Sequence, residues 1–261
     1  MNISIMGAGA FGRALGKILS DNGHGISFYD PNVAPDVTLE QALKDADTVV
    51  IAIPSNFLPS FIENYPAAAK KIPTVLGSKG LVNVDLFKDF SEFSVVSGPA
   101  FAEEIMEGQP ATLTISSQKT IRLFENKQVK TEFSPDVLGI VLCGSLKNAY
   151  AIGCGYYDES DNARAQLLTE AHRETQKYLL EHGANSETAD LACGIGDLIL
   201  TCSSRSSRNY TCGMKLSAGI DLDDIINELK TIEGINALHD LDTDNYPLLD
   251  RIAKLAKLKA A

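Results

Sequence analysis

The sequence predicts an α/β chain, with a doubly wound parallel sheet in the N-terminal half followed by an all-helical C-terminal domain. Three observations predict it. Short apolar runs alternate with helix-period segments through the first half. A glycine-rich turn joins the first strand to the first helix. After Pro135 only the helical period persists, so we divide the chain into a domain over 1–135 and a helical domain over 136–261. With 261 residues, 44% of them hydrophobic, the chain can bury two cores of ordinary size.

The elements follow in order. Ile3 to Met6 reads as a strand, and Phe11, Ala14, Leu15, Ile18 and Leu19 keep helical spacing until Gly23 stops them. Ile26 to Tyr29 is a second strand. Thr38 and Gln41 form a capping box ahead of Ala42 and Leu43. Thr48 to Ile53 is an apolar strand ended by Pro54. Thr74 to Leu76, Ser94 to Val96 and Thr112 to Ile115 are further strands. Such alternation implies a parallel sheet covered by helices on both faces. In the second half, Val137 to Gly155 carries a single charge, Lys147. This run is at the short end for a bilayer span. Asn148 and four glycines make it a buried helix and not an integral membrane segment. Asp161 to Glu181 and Leu248 to Leu258 read as amphipathic helices.

Composition excludes several classes. There are 34 acidic residues against 23 basic ones, a formal charge of −11. That balance argues against nucleic acid and anionic membranes as partners. An anionic substrate would then need its own cluster of cations. The apolar start has no basic region before it, so no secretory leader is expected. Cys143, Cys154, Cys193, Cys202 and Cys212 form no Cys-x-x-Cys pair, so buried thiols in a reducing cytoplasm are expected. No His, Cys and carboxylate grouping has metal spacing, and no metal is expected. His24, His172, His182 and His239 lie in no motif and are given no catalytic part.

Gly7-Ala8-Gly9-Ala10-Phe11-Gly12 has the form G-x-G-x-x-G between a strand and a helix. In that context it is a dinucleotide site of Rossmann type. Gly7 allows the tight turn, Gly9 lets a pyrophosphate approach the backbone, and Gly12 lets helix and strand pack closely. The helix N-terminus offers free N–H groups to the phosphates. Asp30 ends the second strand, where a ribose-binding acid belongs. Pro31 and Asn32 follow it and offer no cation to a 2′-phosphate, so NAD is expected over NADP. Arg13 is the nearest compensating base in sequence.

Further short motifs follow: Ser78-Lys79-Gly80-Leu81, Ser97-Gly98-Pro99-Ala100-Phe101-Ala102-Glu103-Glu104 and Gly144-Ser145-Leu146-Lys147-Asn148. Then come Gly196-Asp197-Leu198-Ile199-Leu200-Thr201-Cys202, Ser207-Arg208-Asn209 and Ile232-Glu233-Gly234. In this order and spacing, from Met1 to about Leu249, the chain resembles the NAD(P)-dependent glycerol-3-phosphate dehydrogenases. The resemblance implies hydride transfer between a nicotinamide cofactor and a small phosphorylated three-carbon substrate. It departs from the family pattern in a shortened stretch between Asp30 and Thr38, a trimmed C-terminal region, Ala100 in place of a hydroxyl residue, and Ala10-Phe11 in place of Ser-Trp.

Lys147 lies in an otherwise uncharged run, where desolvation moves a lysine toward acid/base work near neutral pH. The resemblance implies that role. Asp197, read alone, is a helix cap; the resemblance makes it the electrostatic partner of Lys147 and a ligand of the substrate hydroxyl. Ser207, Arg208 and Asn209 offer a hydroxyl, a guanidinium fork and an amide in succession, suited to a phosphate. Ser207 is also a candidate helix cap. Lys79 follows a strand at the carboxyl edge of the sheet, where ligands collect in open α/β folds. The resemblance implies that Lys79 and Arg208 reach both substrate and cofactor, and that Gly98 contacts the substrate. It implies that Ala10, Phe11, Ala102 and Glu233 contact the cofactor. A homodimer is compatible with the sequence. Two other readings stay open: a related two-domain dehydrogenase acting on a β-hydroxy or keto acid, and a non-catalytic NADH sensor.

Overall fold

A computed structural model of the chain describes residues 1–34 and 37–256, so Leu258, the end of the expected tail helix, lies outside the described residues. The chain divides into two compact units, Met1–Val137 and Leu138–Ala261.

In the first unit, seven strands form one sheet in the order β2-β1-β3-β4-β5-β6-β7. They are β1 (Asn2–Met6), β2 (Gly25–Tyr29), β3 (Thr48–Ile51), β4 (Thr74–Leu76), β5 (Phe93–Ser97), β6 (Ala111–Ile115) and β7 (Val129–Phe133). The helices between them are α1 (Ala10–Asp21), α2 (Leu39–Leu43), α3 (Leu58–Glu63), α4 (Ala102–Met106) and α5 (Gln118–Phe124). The first five strands are parallel. All residues of β3 and β4 are buried, which is why these strands read as unbroken apolar runs. From β1 the chain crosses to β2 on one side and then to β3 on the other, so the order reverses at β1. The crevice outside such a reversal is where ligands bind in open α/β sheets. Ile3, Ile5, Val50, Val75 and Val96 pack with Ala14, Leu15, Ile18 and Leu19 of α1 in one apolar core. The capping box of α2 is complete: Gln41 N donates to Thr38 Oγ1 at 3.2 Å, and Thr38 N to Gln41 Oε1 at 2.8 Å.

Two features depart from the sequence expectation. The strand β6 pairs antiparallel with β5, although β7 runs parallel to β6. Five residues of α4 rise roughly 7.5 Å, about half the length of a five-residue strand. That is too short to carry the chain back to the starting edge. The edge strand β7 was not expected at all, because Val129 and Phe133 are its only apolar residues, with Lys130, Thr131 and Glu132 between them. Charged edge strands resist further pairing.

Among its described residues the second unit holds helices and no strand. Its elements are α6 (Val137–Tyr156, beginning at the boundary), α7 (Asp161–Glu181), α8 (Asp197–Cys202), α9 (Arg208–Ser217), α10 (Leu222–Leu229), α11 (Glu233–Asp240) and α12 (Pro247–Leu255). The helix α6 is long and apolar enough to cross a membrane, yet 83% of its apolar window is buried inside the protein. It is the central helix of this unit. Ser160 caps α7, accepting from Ala163 N at 3.1 Å. Glu174 of α7 ties three helices together. Its buried carboxylate accepts from Tyr150 Oη of α6 at 3.1 Å and from Leu248 N and Leu249 N, both at 2.9 Å. It thus meets the unpaired N–H groups and positive dipole end of α12. Burial, and then Glu174 itself, push the Tyr150 hydroxyl far above its usual range.

Candidate active site

In the first unit the loop after β1 has the geometry its glycines require. Gly7 has φ +107°, and a Cβ on it would lie 2.6 Å from the Ala52 carbonyl oxygen. A Cβ on Gly12 would overlap the carbonyl oxygen of Gly7, so the first turn of α1 can sit against the loop only without one. Around Gly9 nothing lies within 4 Å of the Cβ position, and this open ground is what a pyrophosphate needs. Gly7 N donates to Tyr29 O at 2.8 Å, which ties the loop to the end of β2.

Asp30 is held firmly at that strand end. Its Oδ2 accepts from Ala8 N at 2.9 Å and its Oδ1 from Asn32 N at 3.0 Å. A carboxylate has about four lone-pair sites, so two stay available to ribose hydroxyls. Loop and acid together fit a dinucleotide. Ala10 opens α1 exposed, and Phe11 is half-buried. Lys79 stands beyond the end of β4 with its Nζ 4.5 Å from the centre of the Phe11 ring, a cation–π contact. Gly98 follows β5 so close to β6 that a Cβ would overlap the Thr112 carbonyl oxygen. Ala102 is the first residue of α4.

In the second unit Lys147 and Asp197 meet. Both are buried, 5% and 2% exposed, and Nζ lies 2.6 Å from Oδ2. A buried ammonium is thereby matched by a buried carboxylate, the condition under which such charges survive out of water. Asp197 does not cap a helix: its residue position is the first of α8, and the N-cap is Gly196, without a side-chain bond. The other carboxylate oxygen accepts from Thr201 Oγ1 at 3.2 Å, one turn along α8. A π-helical stretch, Ala192–Gly196, leads directly into Asp197. Such turns recur at functional sites because the extra residue re-aims the side chains that follow. Cys202 completes the surroundings: burial, and the Cys154 thiol beside it, push its thiol well above the ordinary range.

A second network adjoins this pair. The Asn148 amide nitrogen donates to Gly144 O at 3.1 Å and to Glu233 Oε2 at 3.0 Å. Its oxygen accepts from Asn209 Nδ2 at 2.9 Å, and Asn209 Oδ1 accepts from Gly234 N at 2.9 Å. Neither Asn148 nor Thr201 was singled out from the sequence. The signal for Thr201 was its i, i+4 spacing from Asp197 on one helix face. Glu233, meaningless as an isolated acid, is fixed here by Asn148. Asn209 faces inward, while Arg208 before it is exposed at the N-terminus of α9. Ser207 caps that helix, its Oγ accepting from Tyr210 N at 3.3 Å.

Comparison with known proteins matches both parts of this arrangement. The family model for the NAD-dependent glycerol-3-phosphate dehydrogenase N-terminus matches residues 29–122, and that for the C-terminus matches 136–257. The chain is similar to a glycerol-3-phosphate dehydrogenase [NAD(P)+] of Acholeplasma laidlawii, 31% identical over 91% of this chain and 86% of that protein. The one from Agathobacter rectalis is 33% identical over 89% and 83%. The fold is that of the crystal structure of glycerol-3-phosphate dehydrogenase from Coxiella burnetii, with a TM-score of 0.85 over 98% of this chain and 94% of that one, at 24% identity. The glycine loop precedes the region matched by the N-terminal model, so its geometry is independent support. With loop, buried lysine–aspartate pair and two-part match in agreement, the chain belongs to the NAD-dependent glycerol-3-phosphate dehydrogenase family.

Proposed function

We propose that the chain interconverts dihydroxyacetone phosphate and sn-glycerol 3-phosphate by hydride transfer with NAD(H), with Lys147 as general acid and base. The observation that carries this is the buried Lys147–Asp197 pair, 2.6 Å apart, braced by Thr201. Residues 1–135 hold the dinucleotide, and 136–261 supply the proton chemistry and most of the substrate contacts. The five buried, free thiols fit a cytoplasmic protein.

When bound, the reduced nicotinamide supplies the hydride to the carbonyl carbon. Lys147 acts on the carbonyl oxygen. Its ammonium polarises the C=O bond and gives up one proton as the oxygen becomes a hydroxyl. In the reverse direction the neutral amine takes the hydroxyl proton. Asp197 holds the lysine in position and offsets its charge when protonated. It also offers an acceptor to a substrate hydroxyl. Arg208 is exposed and suited to grip the substrate phosphate, with Ser207 beside it. Asn209 has committed its oxygen and one N–H, and the second N–H of its amide can serve the same phosphate. Lys79 and Gly98 complete the substrate contacts. Gly7, Gly9, Ala10, Phe11, Gly12, Asp30, Lys79, Ala102, Arg208 and Glu233 bind the cofactor.

The test is the loss of NADH absorbance when purified protein meets dihydroxyacetone phosphate. Turnover is expected with this substrate and not with β-keto acids. Binding of NADH without turnover of either would identify a sensor. Arg208→Ala should raise the Michaelis constant for dihydroxyacetone phosphate roughly tenfold, the scale of a charge-assisted hydrogen bond. Phosphate-free dihydroxyacetone, a poor substrate throughout, should be little affected. Equal losses on both would assign Arg208 to the nicotinamide instead.

NAD is preferred over NADP in this proposal. A 2′-phosphate about 4 Å from Asp30 would be repelled by ~4 kcal/mol per unit charge at an effective dielectric of ~20. If screening leaves a quarter of that, a preference of roughly fivefold remains. Asp30→Ala should shift the ratio toward NADPH, as read from catalytic efficiencies with the two reduced cofactors. An unchanged ratio would show that Asp30 is not the ribose ligand.

A further inference from the structure

Arg13 takes no part in the proposed proton chemistry or substrate contacts. It lies in the N-terminal part of α1, and its backbone N–H makes the first bond of the helix, to Gly9 O at 3.0 Å. A cation there opposes the helix dipole, which favours negative charge at that end. The side chain turns back and donates from Nε to Ala8 O at 2.8 Å. The guanidinium carbon lies 6.0 Å from the centre of the Phe28 ring on β2. The residue remains exposed, and its terminal N–H groups are additional donors on the same planar guanidinium.

The same Ala8 receives Asp30 from its other side, since Ala8 N donates to Asp30 Oδ2 at 2.9 Å. One residue of the glycine loop therefore binds an acid through its N–H and a base through its carbonyl. The acid faces the ribose in the reading above. The base lies near Phe28, two residues before Asp30 on the same chain segment, and nothing lies within 4 Å of the Cβ position of Gly9.

We propose that Arg13 is a cofactor-selectivity residue: its guanidinium, anchored on Ala8 beside Asp30, binds the 2′-phosphate of NADPH and limits the discrimination that Asp30 imposes. This rests on the dinucleotide reading of the glycine loop and on Asp30 as ribose ligand. The pairing of the two residues makes selectivity a balance. Asp30 alone would exclude the 2′-phosphate; Arg13 alone would favour it. With both, NADH stays preferred and NADPH stays usable. Arg13 is thus the counterweight that the sequence after β2, Asp30-Pro31-Asn32, does not supply.

The experiment is direct binding of the two reduced cofactors, followed by their fluorescence, to wild type, Arg13→Ala and Arg13→Lys. Competition by 2′,5′-ADP and by 5′-AMP isolates the adenosine end. Arg13→Ala should raise the ratio of the NADPH to NADH dissociation constants about tenfold, the scale of one charge-assisted contact to a phosphate. The affinity for 2′,5′-ADP should fall in step, and that for 5′-AMP far less. Arg13→Lys should lie between, keeping the charge and losing the fork. Equal weakening of both cofactors would place Arg13 on the pyrophosphate and overturn the proposal. An unmoved ratio would overturn it as well. If wild type binds neither cofactor, the dinucleotide reading fails and this inference with it. If wild type binds both and only the ratio stays fixed, the dinucleotide reading stands and Arg13 alone is misassigned.

Discussion

Lys147→Met should leave a protein that binds NADH and turns over dihydroxyacetone phosphate at least a hundredfold more slowly. Methionine is unbranched, apolar and of similar reach, so it fills the same space in α6. What it removes is the proton donor. General acid–base groups contribute about 10²–10⁴-fold, and no other described cation is paired with Asp197. The glycine loop and Asp30 are untouched, so the NADH dissociation constant should stay within a small factor of wild type. A stability cost accompanies the change. Asp197 is left as a buried carboxylate that accepts a hydrogen bond from Thr201. Breaking a buried pair from one side costs about 3–5 kcal/mol. The double variant Lys147→Met with Asp197→Asn separates the two effects. A neutral amide should restore much of the melting temperature, because Thr201 keeps a partner and no charge is stranded. It should restore no activity. A rate near wild type in Lys147→Met would remove the lysine from the chemistry.

How much of this was legible beforehand follows from the range over which each interaction acts. The glycine loop, the capping box of Thr38 and Gln41, and the cap at Ser207 are settled by residues within a few positions of one another. A linear reading reaches them. The direction of β6 depends on how far a five-residue α4 can carry the chain, and alternation alone does not encode that. The charged edge strand β7 lacks the apolar signal by which strands are recognised. In the candidate site a local reading reaches residues and not partnerships, and the pairing of Lys147 with Asp197 came from the resemblance alone. Lys147 stood out because its neighbours are uncharged, but nothing local joins it to Asp197, fifty positions on. Read locally, Asp197 is a cap. The π-helical turn at Ala192–Gly196 starts α8 in a different phase and gives its carboxylate to Lys147 instead. Asn148 was passed over because an amide beside a lysine has no distinctive chemistry until Glu233 and Asn209 are brought against it.

The glycines of α6 had a purpose that only the packing reveals, and it gives the second large effect. A Cβ on Gly155 would overlap the Tyr210 carbonyl oxygen, and one on Gly213 would overlap the Ile152 carbonyl oxygen. The backbones of α6 and α9 therefore touch, and these two glycines set their separation. That separation matters to the site, because α6 carries Lys147 and Asn148 and α9 carries Arg208 and Asn209. The 2.9 Å bond from Asn209 to Asn148 spans the same pair of helices. Gly213→Ala tests the arrangement with two opposed terms. Helix propensity alone favours alanine by ~1 kcal/mol. The overlap is with backbone, which has no rotamer to change, so α9 must move; overpacking of this kind costs about 1–3 kcal/mol and sometimes more. So deep an overlap with the Ile152 carbonyl oxygen puts the cost at the upper end, about 3 kcal/mol, so the overlap should win with a net loss of about 2 kcal/mol. At roughly 2–4 °C per kcal/mol in a protein of this size, the melting temperature should fall by about 4–8 °C. The Michaelis constant for dihydroxyacetone phosphate should rise as well, because Arg208 and Asn209 move with α9, while NADH affinity changes less. Gly155→Ala should do the same from the other helix. A variant at either position that melts higher than wild type would mean that propensity decides, and that α6 and α9 are not in backbone contact.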